Sequence, residues 1–408
     1  MPKLLQINSN AVIGSTGRIV DQLGNLAIEN GWVSYIAYGR NVGESKSQLI
    51  KIGNKISIGF HFLLSRAFDQ HGFGSYFATK TLIRKIKEIK PDVVHLHNIH
   101  GYYLNVKLLF EYLAEANIPI IWTLHDFWSI TGHCTAPVLF DCDKWQTTCN
   151  NCPCKNEYPK SITDNSKKNW IKKRTIFTLP EKMILVPVSN WLGNYISKSY
   201  MSIYPINVIH NGIEIDKFSN LPNKKIIEKY NLYNKFRILG VASGWNETNG
   251  FNKILDLSLL LPDDAIIILV GVTEEQIKIL PKNIIGIRHI KDVTELSSYY
   301  ALADLYINIC KTHSFGLVNI ESMACGTPVA VLRDSAGEEI ISKDTGFLIS
   351  DIKEILTIIK EVKAKGKSFY NDACMNRVKS MFNKDAKFSE YLNLYEEIHN
   401  DTYKWNKH

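Results

Sequence analysis

The sequence predicts an α/β protein built from two doubly wound, Rossmann-like domains. Short apolar, β-branched runs recur along the chain, and segments of helical length separate them. Strands of this kind, alternating with helices, are typical of parallel sheets covered on both faces. A chain of 408 residues also exceeds what one ordinary core accommodates, so ten such runs are better explained by two sheets than by one.

The predicted strands form two groups along the chain. The first group is KLLQIN (3–8), VSYIAYG (33–39), DVVHLHN (92–98), IPIIWTLHD (118–126) and MILVPVS (183–189). The second group is RILGVAS (237–243), AIIILVG (265–271), NIIGIR (283–288), DLYINI (304–309) and TPVAVL (327–332). A short strand, an Asn-Gly turn signal and a Pro-Asn pair at 204–225 predict a hinge. We therefore expect domains at 1–200 and 201–380, with a C-terminal helix at 381–408 returning to the first domain.

Composition and charge exclude several classes of protein. No apolar run reaches the roughly 18 residues that a membrane span needs, and the N-terminus lacks the pattern of a signal peptide. We therefore expect a cytoplasmic protein. The net charge is +8, with basic segments at 79–90 and 167–174. These segments are either solvated helix faces or surfaces that attract anionic lipid head groups or phosphorylated substrates, which would allow peripheral association with the inner membrane face. Nucleic acid is not an expected partner, because the basic residues lie in no recognised binding motif.

A glycine-bearing loop follows the first strand. Gly14 and Gly17 bracket Ser15-Thr16, and an amphipathic helix is predicted to begin near Arg18. Glycines at the start of a helix let backbone N–H groups approach a phosphate closely, and Arg18 would add a fixed positive charge. The alternative is a tight strand-to-helix turn that binds nothing.

Histidines follow two of the predicted strands. His95, His97 and His100 have a spacing that suits a metal, but no carboxylate lies close in sequence to complete the set, which favours a polar lining role. His125 and Asp126 end an apolar strand, so the imidazole is expected at the ligand-binding edge of the sheet. There it could hydrogen-bond a sugar hydroxyl or transfer a proton, unless it is satisfied internally.

A cysteine-rich insertion is predicted at 131–160. It carries five of the eight cysteines: Cys134, Cys142, Cys149, Cys152 and Cys154. Cys149 and Cys152 have the spacing of a zinc knuckle, and Cys134 and Cys142 would complete a four-cysteine site. His133 or Cys154 could substitute as ligands. Such a site has no open position, so the zinc would be structural; the alternatives are free thiols or a redox pair.

Three segments of the second predicted domain are suited to binding a diphosphate donor. Asn211 and Gly212 follow a short strand near the hinge, and the loop that ends at Gly250 opens an amphipathic helix. The segment KTHSFGLVNIESMACGTPV (311–329) predicts a helix that begins near 314–316, whose exposed N–H groups form an anion site.

Glu321 is the single acid in this last apolar segment. It lies between one and two turns into the predicted helix, where a carboxylate can accept two hydrogen bonds from a vicinal diol such as a ribose. The alternative is a carboxylate satisfied by neighbouring polar groups. His313 precedes the helix and is expected nearer the group that is transferred.

Several motifs resemble those of the GT-B glycosyltransferases of family 4. They are PDVVHLHN, TLHD, VIHNGIEIDKF and SFGLVNIESMACGTPV, in the family's order and over nearly the whole chain. The GSTGRIV start and the TGHC…CDKW…CxxC insertion are more similar to the branch that builds colanic acid and other exopolysaccharides. The resemblance implies a GT-B fold with two domains facing a cleft. It also implies a retaining, hexosyltransferase-type enzyme that needs no catalytic metal.

The resemblance further implies roles for individual residues. The second acid of the family's E-x7-E pattern, which binds the donor ribose, matches Glu321, and His125 matches a histidine near the reacting sugar. The remaining matches contact the donor's sugar and phosphates: Gly14, Gly17, Phe315, Gly316 and Leu317. The donor would be a nucleotide diphosphate sugar, and the acceptor a lipid-linked saccharide in surface polysaccharide assembly.

Two departures from the family pattern concern charge. The first acid of E-x7-E is replaced by His313, and a basic pair before Gly250 is replaced by Thr248 and Asn249. The departing nucleotide diphosphate must be stabilised, and losing one positioned donor commonly costs about 10² to 10³ in rate. The candidates for compensation are Arg18, Lys253, Lys311 and a protonated His313. The second hypothesis is therefore a catalytically weakened or inactive GT-B protein that binds a nucleotide sugar or a partner transferase.

Overall fold

The computed structural model describes residues 1–405, which form two compact units. The first unit comprises residues 1–209 together with the chain from Phe388 onward, and the second comprises 210–387. The chain therefore leaves the first unit and returns to it at its C-terminal end. The corresponding boundaries predicted from the sequence are 200 and 380.

The first unit contains a six-stranded parallel sheet. Its strands are β1 (Lys3–Asn8), β2 (Val33–Tyr38), β3 (Gln48–Lys51), β4 (Val93–Leu96), β5 (Ile120–Leu124) and β6 (Met183–Pro187). Their order is β3-β2-β1-β4-β5-β6, and every pairing is parallel. This is the doubly wound order, in which the direction of winding reverses between β1 and β4.

Helices connect these strands. They are α1 (Gly14–Glu29), α2 (Lys55–Phe68), α3 (Tyr76–Ile89), α4 (Val106–Glu115), α5 (Ser166–Phe177) and α6 (Asn190–Ile196). Strands β4, β5 and β6 are buried along their whole length, as expected for strands covered on both faces.

The second unit repeats this architecture. Its strands are β7 (Phe236–Val241), β8 (Ala265–Val270), β9 (Ile284–Ile287), β10 (Leu305–Asn308), β11 (Val329–Leu332) and β12 (Gly346–Ile349). Its helices are α7 (Lys224–Lys229), α8 (Phe251–Ser258), α9 (Glu274–Ile279), α10 (Val293–Leu302), α11 (Leu317–Ala324), α12 (Ile355–Lys365) and α13 (Ser368–Met381). The order β12-β11-β10-β7-β8-β9 reverses between β7 and β10.

The last helix, α14 (Lys384–His399), explains why the C-terminal segment belongs to the first unit. Its buried side chains, which include Phe388, Tyr391 and Tyr395, join the hydrophobic core of that unit. Burying one large apolar side chain stabilises a fold by about 1.5–3 kcal/mol, so several together anchor the helix. The Tyr395 hydroxyl also lies 2.7 Å from Nδ1 of the fully buried His95.

The predicted fold class is confirmed, with differences at the sheet edges and in the hinge. All ten predicted strands are present, but β3 and β12 were missed; each has four residues and lies at an edge of its sheet. In place of the short strand predicted in the hinge there are two isolated bridges, Leu185 with Ile206 and Ile213 with Asn383. Within residues 1–405, no helix is both long and apolar enough to span a bilayer.

Candidate active site

Both sheets place their candidate residues where the winding reverses. In the first unit, the loops after β1 and β4 leave neighbouring strands at one edge, and in the second unit the loops after β7 and β10 do the same. Ligands of doubly wound sheets bind beyond the carboxyl ends of the strands at this point. The site residues of each unit are therefore described in turn.

In the second unit, α11 begins at Leu317, directly after Gly316. Gly316 has a φ of +86°, in the region that favours glycine. A Cβ there would lie 2.8 Å from the Asn319 amide nitrogen. The first N–H groups of an α-helix have no partner within it, so this end can bind an anion. Phe315 is buried and packs its ring 5.7 Å from those of His210 and Phe382, which leaves only its backbone for contact with a ligand.

The Glu321 carboxylate is held by a tyrosine from the preceding helix. The Tyr300 hydroxyl donates a hydrogen bond of 2.8 Å to Oε2 of Glu321. Tyr300 is fully buried, and Glu321 is half-buried. Burial raises the pKa of Tyr300, and the negative charge of Glu321 raises it further, so the hydroxyl remains a donor. Nothing in the sequence pattern identified Tyr300 as a site residue.

His313 is paired with a thiol. Burial lowers the pKa of His313, but the hydrogen bond and charge of Cys310 outweigh that effect and raise it above its ordinary value. Conversely, burial raises the pKa of Cys310, but His313 outweighs it and brings the value to about 7. Nδ1 of His313 also lies 3.3 Å from the Asn308 amide nitrogen. The hydrogen bond and charge of Cys310 thus favour protonation of the His313 ring, whereas the Asn308 amide, which can only donate, favours an unprotonated Nδ1.

Two asparagines connect this loop to α11, and sequence reasoning missed both. The Asn308 amide donates to Oδ1 of Asn319 at 2.8 Å, and Oδ1 of Asn308 accepts from the Cys310 backbone N–H at 3.2 Å. In the part of the chain that the structure describes, Nδ2 of buried Asn319 has no hydrogen-bond partner. A buried donor without a partner is costly, and this one lies beside Gly316. The only available signal was a polar residue ending the apolar strand β10.

The loop after β7 is closed by Asn249. Its side chain accepts from the Asn246 N–H at 2.8 Å and donates to the Gly244 carbonyl at 2.6 Å. Gly250 follows with a φ of +86°, and a Cβ there would lie 2.3 Å from Cδ1 of Ile309. The loops after β7 and β10 therefore touch. Thr248 is half-buried in this loop.

The remaining predicted donor residues lie around these loops or at the hinge. Lys253 and Lys311 are exposed. Asn211 is half-buried beside Gly212, where a Cβ would lie 2.6 Å from the Lys384 Cα. Neighbouring His210 lies 2.9 Å from Glu339 through its Nε2. The close backbone approach at Gly212 explains the glycine without a ligand.

In the first unit, α1 begins at Gly14, four residues before the predicted start at Arg18. Gly14 has a φ of +78°, and a Cβ there would meet no atom within 4 Å. Gly17 is buried, and a Cβ there would lie 3.3 Å from the Val12 backbone nitrogen. Gly14 thus serves the turn, and Gly17 permits close packing of the loop. Arg18 is exposed on the first turn.

His125 follows β5 and joins a line of polar groups. Its Nε2 lies 3.4 Å from Nδ1 of His97, and Nε2 of His97 lies 3.2 Å from Oε1 of Gln6. Burial lowers the pKa of His125 to about 4, although the charge of Asp126 opposes this. His125 is therefore neutral near pH 7. His95, by contrast, is fully buried between Tyr395 and Thr123 and lines no ligand site.

Asp126 completes a second polar pair with His100. Oδ2 of Asp126 lies 2.7 Å from Nε2 of His100, and Oδ1 accepts from the Trp128 N–H at 2.8 Å. Burial raises the pKa of Asp126, but His100 outweighs this effect and lowers it. The carboxylate that the sequence did not reveal beside His100 is thus supplied by the neighbouring strand.

Three ring nitrogens beside this pair have unused hydrogen-bonding capacity. Within residues 1–405, Nδ1 of His71, Nδ1 of His100 and Nε1 of Trp128 are buried and have no partner. The ring of His71 lies 5.6 Å from each of the other two rings. Buried polar groups are normally hydrogen-bonded, so these three nitrogens are positions at which an ordered water or a polar ligand would bind. No sequence motif marked His71 or Trp128.

The cysteines of the insertion form two overlapping groups. The four predicted ligands line one small cavity: Cys134, Cys142, Cys149 and Cys152. The sulfur atoms of Cys134, Cys152 and Cys154 lie within 4.8 Å of one another, the one such metal-competent group among the described residues. Cys142 and Cys149 lie outside it. The sulfur of Cys149 accepts a hydrogen bond from the Gly132 N–H at 3.2 Å. No histidine of the His95, His97 and His100 series belongs to such a group in the described part of the chain.

Two family models match the sequence in succession. The model described as "Glycosyltransferase Family 4" matches residues 28–217, and the model described as "Glycosyl transferases group 1" matches residues 249–363. A putative colanic acid biosynthesis glycosyl transferase, WcaC of Escherichia coli K12, is 23% identical over 97% of this chain and 100% of its own length. An uncharacterised 41.2 kDa protein in the cps region of Klebsiella pneumoniae is 21% identical over 77% of this chain and 81% of its own.

Solved structures of glycosyltransferases share the fold. Sucrose-phosphate synthase from Thermosynechococcus elongatus has a TM-score of 0.71 at 15% identity, covering 98% of this chain and 100% of its own. HepE of Anabaena, in complex with UDP-glucose, has a TM-score of 0.64 at 15% identity, covering 96% of this chain and 99% of its own. Each sheet of this chain therefore corresponds to one Rossmann-like domain of the GT-B architecture.

Proposed function

We propose that this chain, a glycosyltransferase of the GT-B type with family 4 domains, transfers a sugar from a nucleotide diphosphate donor to a saccharide acceptor in surface polysaccharide assembly. We further propose that the anomeric configuration is retained and that no metal takes part in the chemistry. Similarity to the colanic acid transferase and to the protein of the Klebsiella cps region supports the pathway class.

One observation carries the donor assignment. Glu321 lies in α11, and Tyr300 fixes its carboxylate at 2.8 Å, while the N-terminus of the same helix lies at the reversal point of the sheet. A ribose diol on Glu321 and a diphosphate at Gly316 and Leu317 would be bound by one short helix. The HepE structures with UDP and with UDP-glucose support a nucleotide sugar as the ligand.

Stabilisation of the leaving diphosphate is assigned to cations other than the family's basic pair. His313 carries a raised pKa next to the helix end, and Lys311 and Lys253 lie in or just after the two loops that touch at Gly250 and Ile309. A positioned cation stabilises the charge that develops on the leaving group. In the first unit, the open space at Gly14 and the charge of Arg18 are assigned to the same ligand class.

The acceptor is assigned to the polar cluster of the first unit. His71, His100 and Trp128 offer buried ring nitrogens without partners, and His125 and Asp126 flank them at the end of β5. Sugars present hydroxyl groups along an apolar ring face, which suits ring nitrogens set among aromatic rings. Neutral His125 contacts a reacting hydroxyl in this assignment.

A lipid-linked acceptor requires the protein to reach a membrane surface. We assign this membrane association to an exposed face of α2 and α3. Ile56, Phe60 and Leu63 share one face of α2 and are 81%, 61% and 62% exposed, and Phe77 at the start of α3 is 83% exposed. The starts of the two helices lie together, since a Cβ on Gly53 would lie 3.1 Å from that of Ala78. We call these four apolar side chains the α2–α3 face.

Charge around the α2–α3 face favours an anionic bilayer. Helix α2 contains no acidic residue, and exposed basic residues adjoin the face: Lys55, Arg66, Lys80 and Arg84. Each Lys or Arg near an anionic leaflet contributes about 1 kcal/mol to binding. Apolar anchors beside basic residues are the features of a peripheral membrane surface.

Donor binding and transfer are tested separately. Thermal unfolding with a panel of nucleotide sugars identifies the donor, since a ligand at 100 times its Kd stabilises the native state by about 2.7 kcal/mol. Transfer is then followed by NMR of the product anomer. Glu321→Ala should lose the donor-dependent shift, whereas Glu295→Ala, an exposed acid of α10, should keep it. Binding without turnover on lipid-linked acceptors would favour the catalytically inactive alternative.

Membrane association is tested by sedimentation with vesicles of phosphatidylcholine, with and without phosphatidylglycerol. The wild type should bind the anionic vesicles, and the double variant Phe60→Glu, Phe77→Glu should not. Phe369→Glu changes an exposed phenylalanine of the second unit and should bind like the wild type. Equal binding by the double variant would refute the assignment, as would equal loss in the Phe369 control.

A further inference from the structure

The insertion at 131–165 lacks the regular structure that would hold it in place. Among these residues the helical elements are two short 3₁₀ turns, Pro137–Phe140 and Lys144–Gln146. Yet the segment contains three buried cysteines, Cys134, Cys149 and Cys154, and the buried Trp145. A long loop of this kind with a buried interior usually needs a covalent or metal cross-link.

The sulfur atoms of Cys134, Cys152 and Cys154 are close enough for such a cross-link. They lie within 4.8 Å of one another. In a tetrahedral zinc site, a Zn–S distance of about 2.3 Å places two sulfurs about 3.8 Å apart. Side-chain rotations of the cysteines would close this difference. All three cysteines are free thiols that form no disulfide.

His133 offers the fourth ligand. Its Nδ1 lies 2.6 Å from Oδ1 of Asp69, and both side chains are 1% exposed. Among the described residues, Nε2 of His133 is buried and has no hydrogen-bond partner. His133 lines one small cavity together with four cysteines, Cys134, Cys142, Cys149 and Cys152. Only Cys134 and Cys152 of these four belong to the group whose sulfur atoms lie within 4.8 Å of one another. Metal-binding histidines commonly donate their other ring nitrogen to a carboxylate, which fixes the tautomer and orients the ring.

We propose that Cys134, Cys152 and Cys154 bind a structural zinc ion as thiolates, with Nε2 of His133 as the fourth ligand. Nε2 of His133 is not within 4.8 Å of all three sulfurs, so the ion draws the ring and the loop together on binding. Binding releases the three thiol protons to solvent. The site differs from the four-cysteine set that spacing suggested, because Cys142 and Cys149 take no part in it.

The contacts around the site indicate that a bound ion would fix the position of the insertion. Asp69 directly follows α2 as its C-cap residue, and its Oδ2 accepts from the Asn165 N–H at 3.0 Å. The Cys152 N–H donates to Oδ2 of Asp164, the residue before Asn165, at 2.7 Å. The ion would therefore tie the insertion to the end of α2. The insertion also carries Tyr158, whose ring lies 5.6 Å from that of His71, so zinc would hold one wall of the proposed acceptor cluster.

Metal analysis of the full chain, purified without chelator, tests the proposal directly. We expect about one zinc per chain. X-ray absorption should show three sulfurs at about 2.3 Å and one nitrogen at about 2.0 Å. Four sulfurs would overturn the assignment of His133. A disulfide between any two of the three cysteines in the purified protein, or less than half an equivalent of zinc, would overturn the site.

Single serine variants separate the two ligand sets. Replacing Cys134, Cys152 or Cys154 should abolish stoichiometric zinc, whereas Cys142→Ser and Cys149→Ser should retain it. Cys374→Ser, a buried thiol of the second unit, is the control. Loss of zinc in Cys142→Ser and Cys149→Ser, with retention in Cys154→Ser, would restore the four-cysteine set.

Asp69→Asn tests the carboxylate behind His133. Removing such a partner typically lowers metal affinity 10- to 100-fold, which competition with a chromophoric chelator measures. If a ligand variant fails to fold, chelation of the wild type provides the second measurement: it should lower the melting temperature of the first unit only. An unchanged melting temperature after complete zinc removal would overturn the structural role.

Discussion

The Tyr300 hydroxyl donates a hydrogen bond of 2.8 Å to the Glu321 carboxylate. The two residues come from successive helices of the second unit, α10 and α11, and Tyr300 is fully buried. A buried hydroxyl held against a half-buried carboxylate fixes the acid's orientation before any ligand arrives. Preorganisation of this kind lowers the entropic cost of binding a ribose diol.

Changing Glu321 should therefore weaken donor binding. We expect Glu321→Gln to raise the Kd of the nucleotide sugar by about 10- to 100-fold, since hydrogen bonds to a charged group are worth about 1.5–3 kcal/mol. Calorimetric titration with the donor and with the free nucleotide measures this loss. Both ligands should be affected alike, because both carry the ribose.

Tyr300→Phe is the matched control for this prediction. It keeps the ring and removes only the hydroxyl, so the Kd should rise by less than it does in Glu321→Gln. The free energy of unfolding should fall by about 1 kcal/mol. An unchanged donor affinity in Glu321→Gln would show that the ribose binds elsewhere.

Much of the fold was predictable because buried parallel strands carry a strong local signal. Strands such as β5 and β8 are continuous apolar runs, and their boundaries were read within a few residues. The strands that were missed, β3 and β12, lie at sheet edges and are partly exposed. Edge position alone is not the cause, because the edge strands β6 and β9 were predicted. The apolar runs of β3 and β12 are short, two and three residues, and give a weaker signal.

Site residues that shape the backbone could be predicted from the sequence. Site residues that act by contacting another side chain could not. Gly316 and the start of α11 could be located from sequence. Tyr300, Asn308 and His71 could not, because each acts through a partner that only the folded sheet brings near. The cysteines show both cases. The four that spacing suggested line one cavity, whereas the closeness of Cys154 to Cys134 and Cys152 appears only in the fold.

The effect of a basic residue before Gly250 on the affinity for the nucleotide diphosphate should depend on which position is changed. Thr248 is half-buried, whereas the Asn249 side chain closes its loop through bonds to Asn246 and Gly244. We expect Thr248→Arg to tighten binding of the nucleotide diphosphate several-fold. Asn249→Lys should weaken it, because the loop loses its side-chain hydrogen bonds.

Isothermal titration with a nucleoside diphosphate measures both variants at one ionic strength. Thr248→Gln is the control, since it adds length without charge and should leave the Kd near that of the wild type. Equal tightening in Thr248→Arg and Asn249→Lys would show that the bonds of Asn249 do not matter for the loop.

The first unit should lose stability as the pH falls from about 6.5 towards 4. Five of its histidines have lowered pKa values, principally because burial disfavours the charged ring: His61, His71, His95, His97 and His125. In this window the unfolded chain binds protons that the folded unit does not. Each such histidine can therefore lower the free energy of unfolding by up to about 1.4 kcal/mol for each unit of falling pH.

Scanning calorimetry between pH 7.5 and 5 measures this slope. His97→Gln removes one proton-linked group and should flatten the slope, whatever its effect on absolute stability. His289→Gln, an exposed histidine of the second unit, should leave it unchanged. A melting temperature of the first unit that does not vary with pH would contradict the prediction.

Donor affinity should weaken as the pH rises through about 7, and the cause lies in the pair of Cys310 and His313. Burial alone would raise the pKa of Cys310, but His313 brings it to about 7; above that pH the pair gains a negative charge beside the proposed diphosphate site. Because one proton is lost, the Kd should rise at most about tenfold per pH unit.

Titration with an intact nucleotide sugar isolates this effect, since its diphosphate does not titrate in the range. Cys310→Ser should bind independently of pH from 6 to 8.5 and more weakly than the wild type at pH 6, because His313 loses the partner that raises its pKa. Cys374→Ser, whose thiol has a pKa raised to about 12 by burial, should keep the wild-type profile. If Cys310→Ser retains the inflection near pH 7, the titrating group is not this thiol, and the charge on His313 would have to be set by another partner.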